Sequence, residues 1–373
     1  MQLSPLATVR NRLKFGVPVP FNIRGPDNTL LLARGQVIRD ENQLEALVDR
    51  GAVVDSEETK CPRGAIMDAA IDTLPSLWSG CVDRVGRLLK GPDLPQFAEA
   101  LNSAAEPVLA LVERDPDLAI FQVVRQEAAG KGSYGISHSV HTAIASHLVA
   151  KRMGWGPEVV QRVFKAALTM NLAMLELQGR LATQVTAPTA AQREAIHEHP
   201  WRSAEMLEAS GITDNDWLVA VREHHEVEGG KGYPKGSQDV AEMASLLRRV
   251  DIYTAKLSPR NSRMALPANQ AGRDLFLQDA QHPMAAAVVK EFGVYPPGCF
   301  VQLQCGEVGI VIKRGPTAST PIVASLTSRT GDALMEPVRR NTDQRGFGVV
   351  GVVPESALRV RVSPEKLVVL ASR

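Results

Sequence analysis

Three textures of apolar and polar positions succeed one another along this chain. Through residue 60 the apolar runs are short and broken by turn formers. GVPVPFNIRGPDNTLLLARGQVI predicts two short strands around a turn at Gly25-Pro26-Asp27-Asn28. NQLEALVD, 42–49, predicts a short helix that stops at Gly51, where glycine takes a left-handed cap without strain. The polar stretch DSEETKCPRG, 55–64, predicts a linker. From about 65 to 290 the rhythm becomes helical. Leu74, Leu77, Trp78, Cys81, Val82, Val85 and Leu88 recur at three- and four-residue spacing and predict one buried stripe. Pro92, Pro95 and Pro107 punctuate the next stretch, and EVVQRVFKAALTMNLAMLE, 158–176, is apolar enough to predict a central core helix. Thr189-Ala-Ala-Gln192 predicts a capping box that opens a helix carrying His197 and His199. From about 295 the runs are short and β-branched. FVQLQ, EVGIVIK, PIVASL and FGVVGVV, with Gly and Pro between them, predict a small antiparallel β module.

The expected organisation is mainly α: a small N-terminal α+β module over 1–60, a helical domain over 65–290, and a small antiparallel β module over 295–373. Charge narrows the function classes. Lys and Arg number 42 against 41 Asp and Glu, so no basic excess is available for a large nucleic-acid surface. Cys61, Cys81, Cys299 and Cys305 are scattered without metal-ligand spacing, which fits packing residues in a reducing compartment. The start, MQLSPLATVRNRLKFG, has no continuous apolar core of a secretory leader, and no run approaches the roughly 20 apolar residues that span a bilayer. The expectation is a cytoplasmic protein without a membrane span.

Of eight histidines, six fall in three clusters of the helical region: His138 and His141, His197 and His199, and the adjacent pair His224-His225. Imidazole and carboxylate suit divalent metals, and helical bundles build such sites from side chains on facing helices. A lone helical histidine is more often solvated or hydrogen-bonded than a ligand, and His141, His147 and His197 fit that reading. The pair before a glycine-rich turn does not. GKGYP has a plain reading too, as a turn with Gly232 at an unusual dihedral and Pro234 fixing its exit.

The string His224–Pro234, HHEVEGGKGYP, resembles the signature of the HD-GYP phosphohydrolases, bacterial enzymes that open the cyclic dinucleotide c-di-GMP at a cluster of metal ions. The resemblance covers about 65–290 and implies a helical bundle of the HD superfamily. His138 matches the family's first histidine, His199-Pro200 its His-Pro, His224 and His225 its double histidine, Gly232, Tyr233 and Pro234 its Gly-Tyr-Pro, and Asp251 its last metal-binding aspartate. Arg260 and Arg263 align with the basic residues beyond that aspartate. The hallmark motif departs at every position. Met170 stands for the histidine, Asn171 for the aspartate, Ala173 for the glycine and Met174 for the lysine. Val227, Gly229, Thr254 and Ser262 also replace an arginine, two aspartates and a tyrosine of the pattern.

In the family the missing aspartate bridges two metal ions. A bridging ligand must be anionic to offset repulsion between two dications, and the asparagine amide is neutral. Met170 offers a soft thioether to ions that prefer nitrogen and oxygen. Met174 removes a cation from beside the phosphate. A two-metal hydrolase without these groups loses the means to make hydroxide near neutral pH. The resemblance therefore implies a pseudoenzyme with no catalytic residue assigned. Its remaining metal ligands would be His138, His199, His224, His225 and Asp251, holding at most one weakly bound Fe, Mn or Zn ion. Lys231, Gly232, Tyr233, Pro234, Arg260 and Arg263 form the candidate surface for a ligand or partner, with Tyr233 as an exposed anchor. The implied partners are c-di-GMP or a related cyclic dinucleotide and signalling proteins of the diguanylate cyclase type. Two other readings stay open: a residual metal-dependent phosphodiesterase, and a scaffold whose histidines only hydrogen-bond to neighbouring groups.

Overall fold

A computed structural model describes residues 3–373 apart from 14, 17–18, 20, 34–35, 56–61, 93–95, 127–133, 280–281, 356–359 and 361. Cys61, Pro95 and most of the expected linker lie outside the described residues. Two compact units appear, Met1–Asp68 and Ala69–Arg373.

In the first unit, strands β1 (Leu3–Pro5), β2 (Ile23–Arg24), β3 (Leu30–Leu32) and β4 (Val53–Asp55) form an antiparallel sheet in the order β1-β4-β2-β3. The turn at 25–28 joins β2 to β3 as expected, with the Asn28 amide bonded to the Gly25 carbonyl at 2.9 Å. Helix α1 (Glu41–Asp49) starts at Asp40, whose carboxylate caps the Gln43 amide, and Gly51 lies just beyond its end at φ +67°. Leu44 and Leu47 of α1 pack with Phe21, Ile23 and Val54 of the sheet in a small apolar core.

The second unit is a helical bundle with a sheet built onto it. The predicted stripe is real. Helix α2 (Leu74–Leu89) buries Leu74, Trp78, Cys81, Val85 and Leu88, with Leu77 and Val82 of the stripe half-buried. Pro107 does not end its helix but sits inside α3 (Phe97–Arg114). The helix at the centre of the bundle is α4 (Tyr134–Arg152), in which every residue from Gly135 to Ala150 except Ser137 is buried. Its polar residues conceal this from a hydropathy reading. They are accommodated by partners or by neutrality: Thr142 bonds Thr254 of α8 (Glu242–Leu257) at 2.9 Å, and His147 meets the ring edge of Phe164.

The expected helix over 158–176 is interrupted. Helix α5 (Pro157–Thr169) ends one residue before Met170, a short 3-10 turn covers Leu172–Met174, and a new helix runs Leu175–Thr183. The reason is local. Asn171 takes φ −107° and ψ 14°, which breaks the helical ladder, and the Ala173 amide so released is caught by the Ser203 hydroxyl at 3.1 Å. The capping box at Thr189 and Gln192 forms as expected and opens α6 (Ala190–Ala209).

The C-terminal strands β5 (Phe300–Leu303), β6 (Val308–Lys313), β7 (Ile322–Thr327), β8 (Ala333–Asn341) and β9 (Val349–Val352) make an antiparallel sheet in the order β8-β7-β6-β5-β9. Strand β8, ALMEPVRRN, has too little apolar content to be read from sequence. A helix at Pro364–Ser372, capped by Ser363, is likewise absent from the sequence expectation. The sheet is tied to the bundle by ion pairs. The buried Glu291 carboxylate accepts from Arg152 of α4 and from Arg314 just after β6, and Arg314 also reaches Asp117 at 2.5 Å. Among the described residues no helix is long and apolar enough to cross a membrane.

Burial on α4 has a consequence for stability. Desolvation, with a smaller effect of His138, pushes His141 down to about 3 from 6.5. Desolvation, then Lys151, pushes His147 down to about 4. Both rings are neutral in the folded chain, whereas the unfolded chain takes up protons below about 6.5. Their contribution is therefore complete above that pH and is lost as pH falls toward 4 and 3. Urea unfolding midpoints should drop steadily from pH 6.5 to 4, and the slope should flatten in His141→Gln, His147→Gln. A flat wild-type profile would contradict this assignment.

Candidate metal centre

Three imidazoles converge between α6, the end of α7 (Asn215–Glu223) and the loop just after α7. Ligand atoms of His199, His224 and His225 all lie within 4.8 Å of one another. His199 and His224 are almost fully buried and His225 is half-buried. Their orientation comes from the backbone. His199 Nδ1 lies 2.6 Å from the Ile196 carbonyl and His224 Nδ1 lies 2.7 Å from the Val221 carbonyl. A carbonyl only accepts, so each Nδ1 carries the proton and donates it. Each Nε2 is then a bare lone pair, and the two Nε2 atoms face one another at 3.1 Å.

Two lone pairs at that distance repel unless a cation or an added proton lies between them. The proton is disfavoured. Desolvation first, then His224, pushes His199 down to about 3. Desolvation also lowers His224, and desolvation with His224 and His199 nearby holds His225 well below its ordinary value. A metal cation fits the donor set. Two nitrogens about 2.0–2.1 Å from one tetrahedral ion lie about 3.3 Å apart, close to the spacing seen here. His199 and His224 each have their second nitrogen held by a carbonyl, as metal-bound histidines do.

The loop after the double histidine is strapped over this cluster. Glu226, 1% exposed, accepts from the Lys235 amide at 2.8 Å and the Ser237 amide at 3.0 Å, pinning the chain just beyond the Gly-Tyr-Pro segment. Gly232 runs so close beneath that a Cβ there would lie 2.3 Å from the Val227 nitrogen, so no other residue fits. The Tyr233 amide bonds the His225 carbonyl at 3.2 Å. Its ring stacks on His225 at 4.6 Å and on His197 at 5.3 Å, nearly parallel to both. Tyr233 is thus sandwiched by imidazoles, where an exposed anchor was expected. Sequence reasoning missed Glu226, although it sits inside the HHE string that carries the resemblance.

His138 and Asp251 come together as a separate pair. His138 Nε2 lies 2.7 Å from Asp251 Oδ1, and Tyr134 stacks on the His138 ring at 5.9 Å. Burial raises the Asp251 carboxyl, but the His138 hydrogen bond and the neighbouring imidazoles outweigh it and hold the group below the usual carboxylate range. Asp251 also acts electrostatically on His224 and His225. Arg260 bonds the Tyr134 hydroxyl at 2.8 Å and Arg263 the Ala255 carbonyl at 2.6 Å. Lys231 is exposed, and Lys235 lies over the Trp201 ring at 4.3 Å. The 170–174 segment packs against α6. Met170 and Asn171 are buried, the Asn171 Nδ2 has no partner among the described residues, and the Ser203 that catches the 172–174 turn is one helical turn beyond His199. Glu176, the nearest downstream acid, is exposed.

No protein-family model matches this chain. A cyclic di-GMP phosphodiesterase of Pseudomonas aeruginosa is 26% identical over 240 residues, covering 61% of this chain and 57% of that protein, so the match spans little more than half of the relative's length. Among solved structures, an HDGYP protein from Bdellovibrio bacteriovorus aligns at 16% identity with a TM-score of 0.49, over 77% of this chain and 96% of that one. The His199-Pro200, His224-His225 and Gly232-Tyr233-Pro234 motifs resemble those of HD-GYP proteins, and the curated relative that the chain is similar to is a cyclic di-GMP phosphodiesterase.

Proposed function

We propose that this chain is a catalytically degenerate HD-GYP protein that acts by binding in c-di-GMP signalling. The observation that carries the reading is the pair of bare Nε2 atoms of His199 and His224 with no uncommitted carboxylate grouped with them among the described residues: Asp251 is engaged by His138, and Asn171 stands where an acid is needed. Such a set supports one divalent ion, held by His199, His224 and His225 with water completing the shell. It does not support two, because no anionic group is placed to bridge them. A single Lewis acid polarises a phosphoryl oxygen, but the clamp on attacking and leaving oxygens that a two-metal site supplies is lacking. This chain's own residues hold the imidazoles neutral, orient the His199 and His224 lone pairs and stack Tyr233 on His225.

The binding role takes a cyclic dinucleotide or a signalling protein of the diguanylate cyclase type at the rim of the strapped loop. Lys231 and Lys235 supply cations there without a carboxylate partner among the described residues, and Trp201 adds an aromatic face. Arg260 and Arg263 are committed to Tyr134 and the Ala255 carbonyl, and they contribute by holding that wall in place. The segments 1–60 and 295–373 are read as accessory modules around the 65–290 domain, and the protein as cytoplasmic.

Metal analysis of the purified protein should find at most one ion per chain, with Fe, Mn and Zn all tested. His224→Ala should weaken that ion by more than the roughly tenfold to hundredfold typical of losing an outer partner. Two or more stoichiometric ions would refute the single-ion site. Anaerobic incubation with c-di-GMP and excess Fe²⁺ or Mn²⁺ should give no linear dinucleotide above a His199→Ala, His224→Ala control. Metal-dependent product would mean that the bridge has been replaced and that the chain is a phosphodiesterase. Met170→His, Asn171→Asp and Met174→Lys together should restore metal uptake if only the ligands have been lost, and no gain in metal would mean that the surrounding pocket has changed too.

A further inference from the structure

The two buried imidazoles reach their carbonyls by different routes. Val221 lies in the last turn of α7, where helix geometry leaves four carbonyls without amide partners, so its oxygen is free for His224. Ile196 lies in the middle of α6, where a carbonyl is ordinarily taken by the amide four residues on. That residue is Pro200, which has no N–H and sits inside the helix. The oxygen that Pro200 leaves unclaimed is the one that receives His199 Nδ1. We propose that Pro200 is a positioning residue: by removing one amide from α6 it frees the Ile196 carbonyl, and that carbonyl fixes His199 as the Nδ1–H tautomer with Nε2 bare toward His224.

The chemistry of the alternative shows why a proline is needed. With any other residue at 200, its amide would bond Ile196 and complete the helical ladder. His199 Nδ1 would then compete for an occupied acceptor, and the ring would be free to carry its proton on Nε2. An Nε2–H directed at His224 Nε2 would satisfy that nitrogen with an ordinary hydrogen bond, and the lone pair that the site offers to a cation would be gone. The helix-interior proline of α3 makes the contrast. Pro107 frees the carbonyl of Ser103, an exposed residue within reach of water. Ile196 is half-buried and Pro200 and His199 are buried, so at this position the side chain takes the place of water.

The consequence for a cation rests on the metal-site reading; the tautomer does not. In metal-free protein, ¹⁵N shifts of the imidazole nitrogens should show His199 protonated on Nδ1 in the wild type and an Nε2–H population in Pro200→Ala. The same variant should be at least as stable to heat, since alanine restores a helical hydrogen bond, yet bind Zn²⁺ about tenfold more weakly, the effect expected of losing an outer-shell partner. A merely structural proline predicts the opposite pairing, with stability altered and the tautomer unchanged. His199 found on the Nε2–H tautomer in the wild type, or unchanged Nδ1–H in Pro200→Ala, overturns the proposal. The wild-type spectrum keeps the proposal open to refutation even if the variant does not fold. If the tautomer shifts while neither protein binds Zn²⁺, the positioning role stands and the metal reading falls.

Discussion

Exclusion of water from a group of imidazoles is the constraint on which this molecule turns. Desolvation drives His141, His147 and His199 far below the ordinary histidine range. A neutral imidazole then has one donor and one acceptor, and burial demands a use for both. For His199 and His224 the donor goes to a carbonyl that its helix does not use. The acceptor is left pointing at its counterpart. The surrounding structure keeps that arrangement in place: the capped start of α6, the end of helix α7, and the loop pinned by Glu226 with Tyr233 stacked over His225.

The same constraint bears on the residues at 170 and 171. An ionised aspartate at 171 would need compensation from cations or donors in a place that is 2% exposed. Asparagine avoids that charge, at the cost of an unpartnered Nδ2. Met170 is buried outright and packs as an apolar residue. Thr254 takes part in a hydrogen bond with Thr142 between α4 and α8. His138 Nε2 pairs with Asp251 Oδ1, while His138 Nδ1 has no partner among the described residues. The polar groups of the bundle's interior thus fall into a hydrogen-bonded His138–Asp251 pair and a buried cluster of His199, His224 and His225.

Much of the fold was legible because local rules and tertiary demands agree. The α2 stripe, the Thr189 box, the 25–28 turn and four C-terminal strands were readable from period and turn chemistry. The failures have physical causes. Strand β8 pairs through its backbone with β7, and backbone pairing leaves no apolar signature. The central helix α4 is filled with histidine, serine and threonine, and the partners that His138 and Thr142 find on α8 cannot be seen along one segment. The break at Asn171 looked apolar and continuous, because hydropathy does not register where a helix ladder is interrupted. The helix at Pro364 carried a readable Ser-Pro start that β-branched residues obscured.

For the site, the sequence by itself determined the residue types: four histidines, one aspartate, a glycine-rich turn, and a neutral asparagine at position 171. Chemical identity is local, so those conclusions needed no coordinates. Only the tertiary structure decided the pairing. It placed Asp251 with His138, gave Arg260 to Tyr134, set Tyr233 between two imidazoles, and turned two Nε2 atoms toward each other. Those outcomes depend on which helix faces meet and which backbone carbonyls are left free when they do, and residues far apart in the chain settle that only on folding.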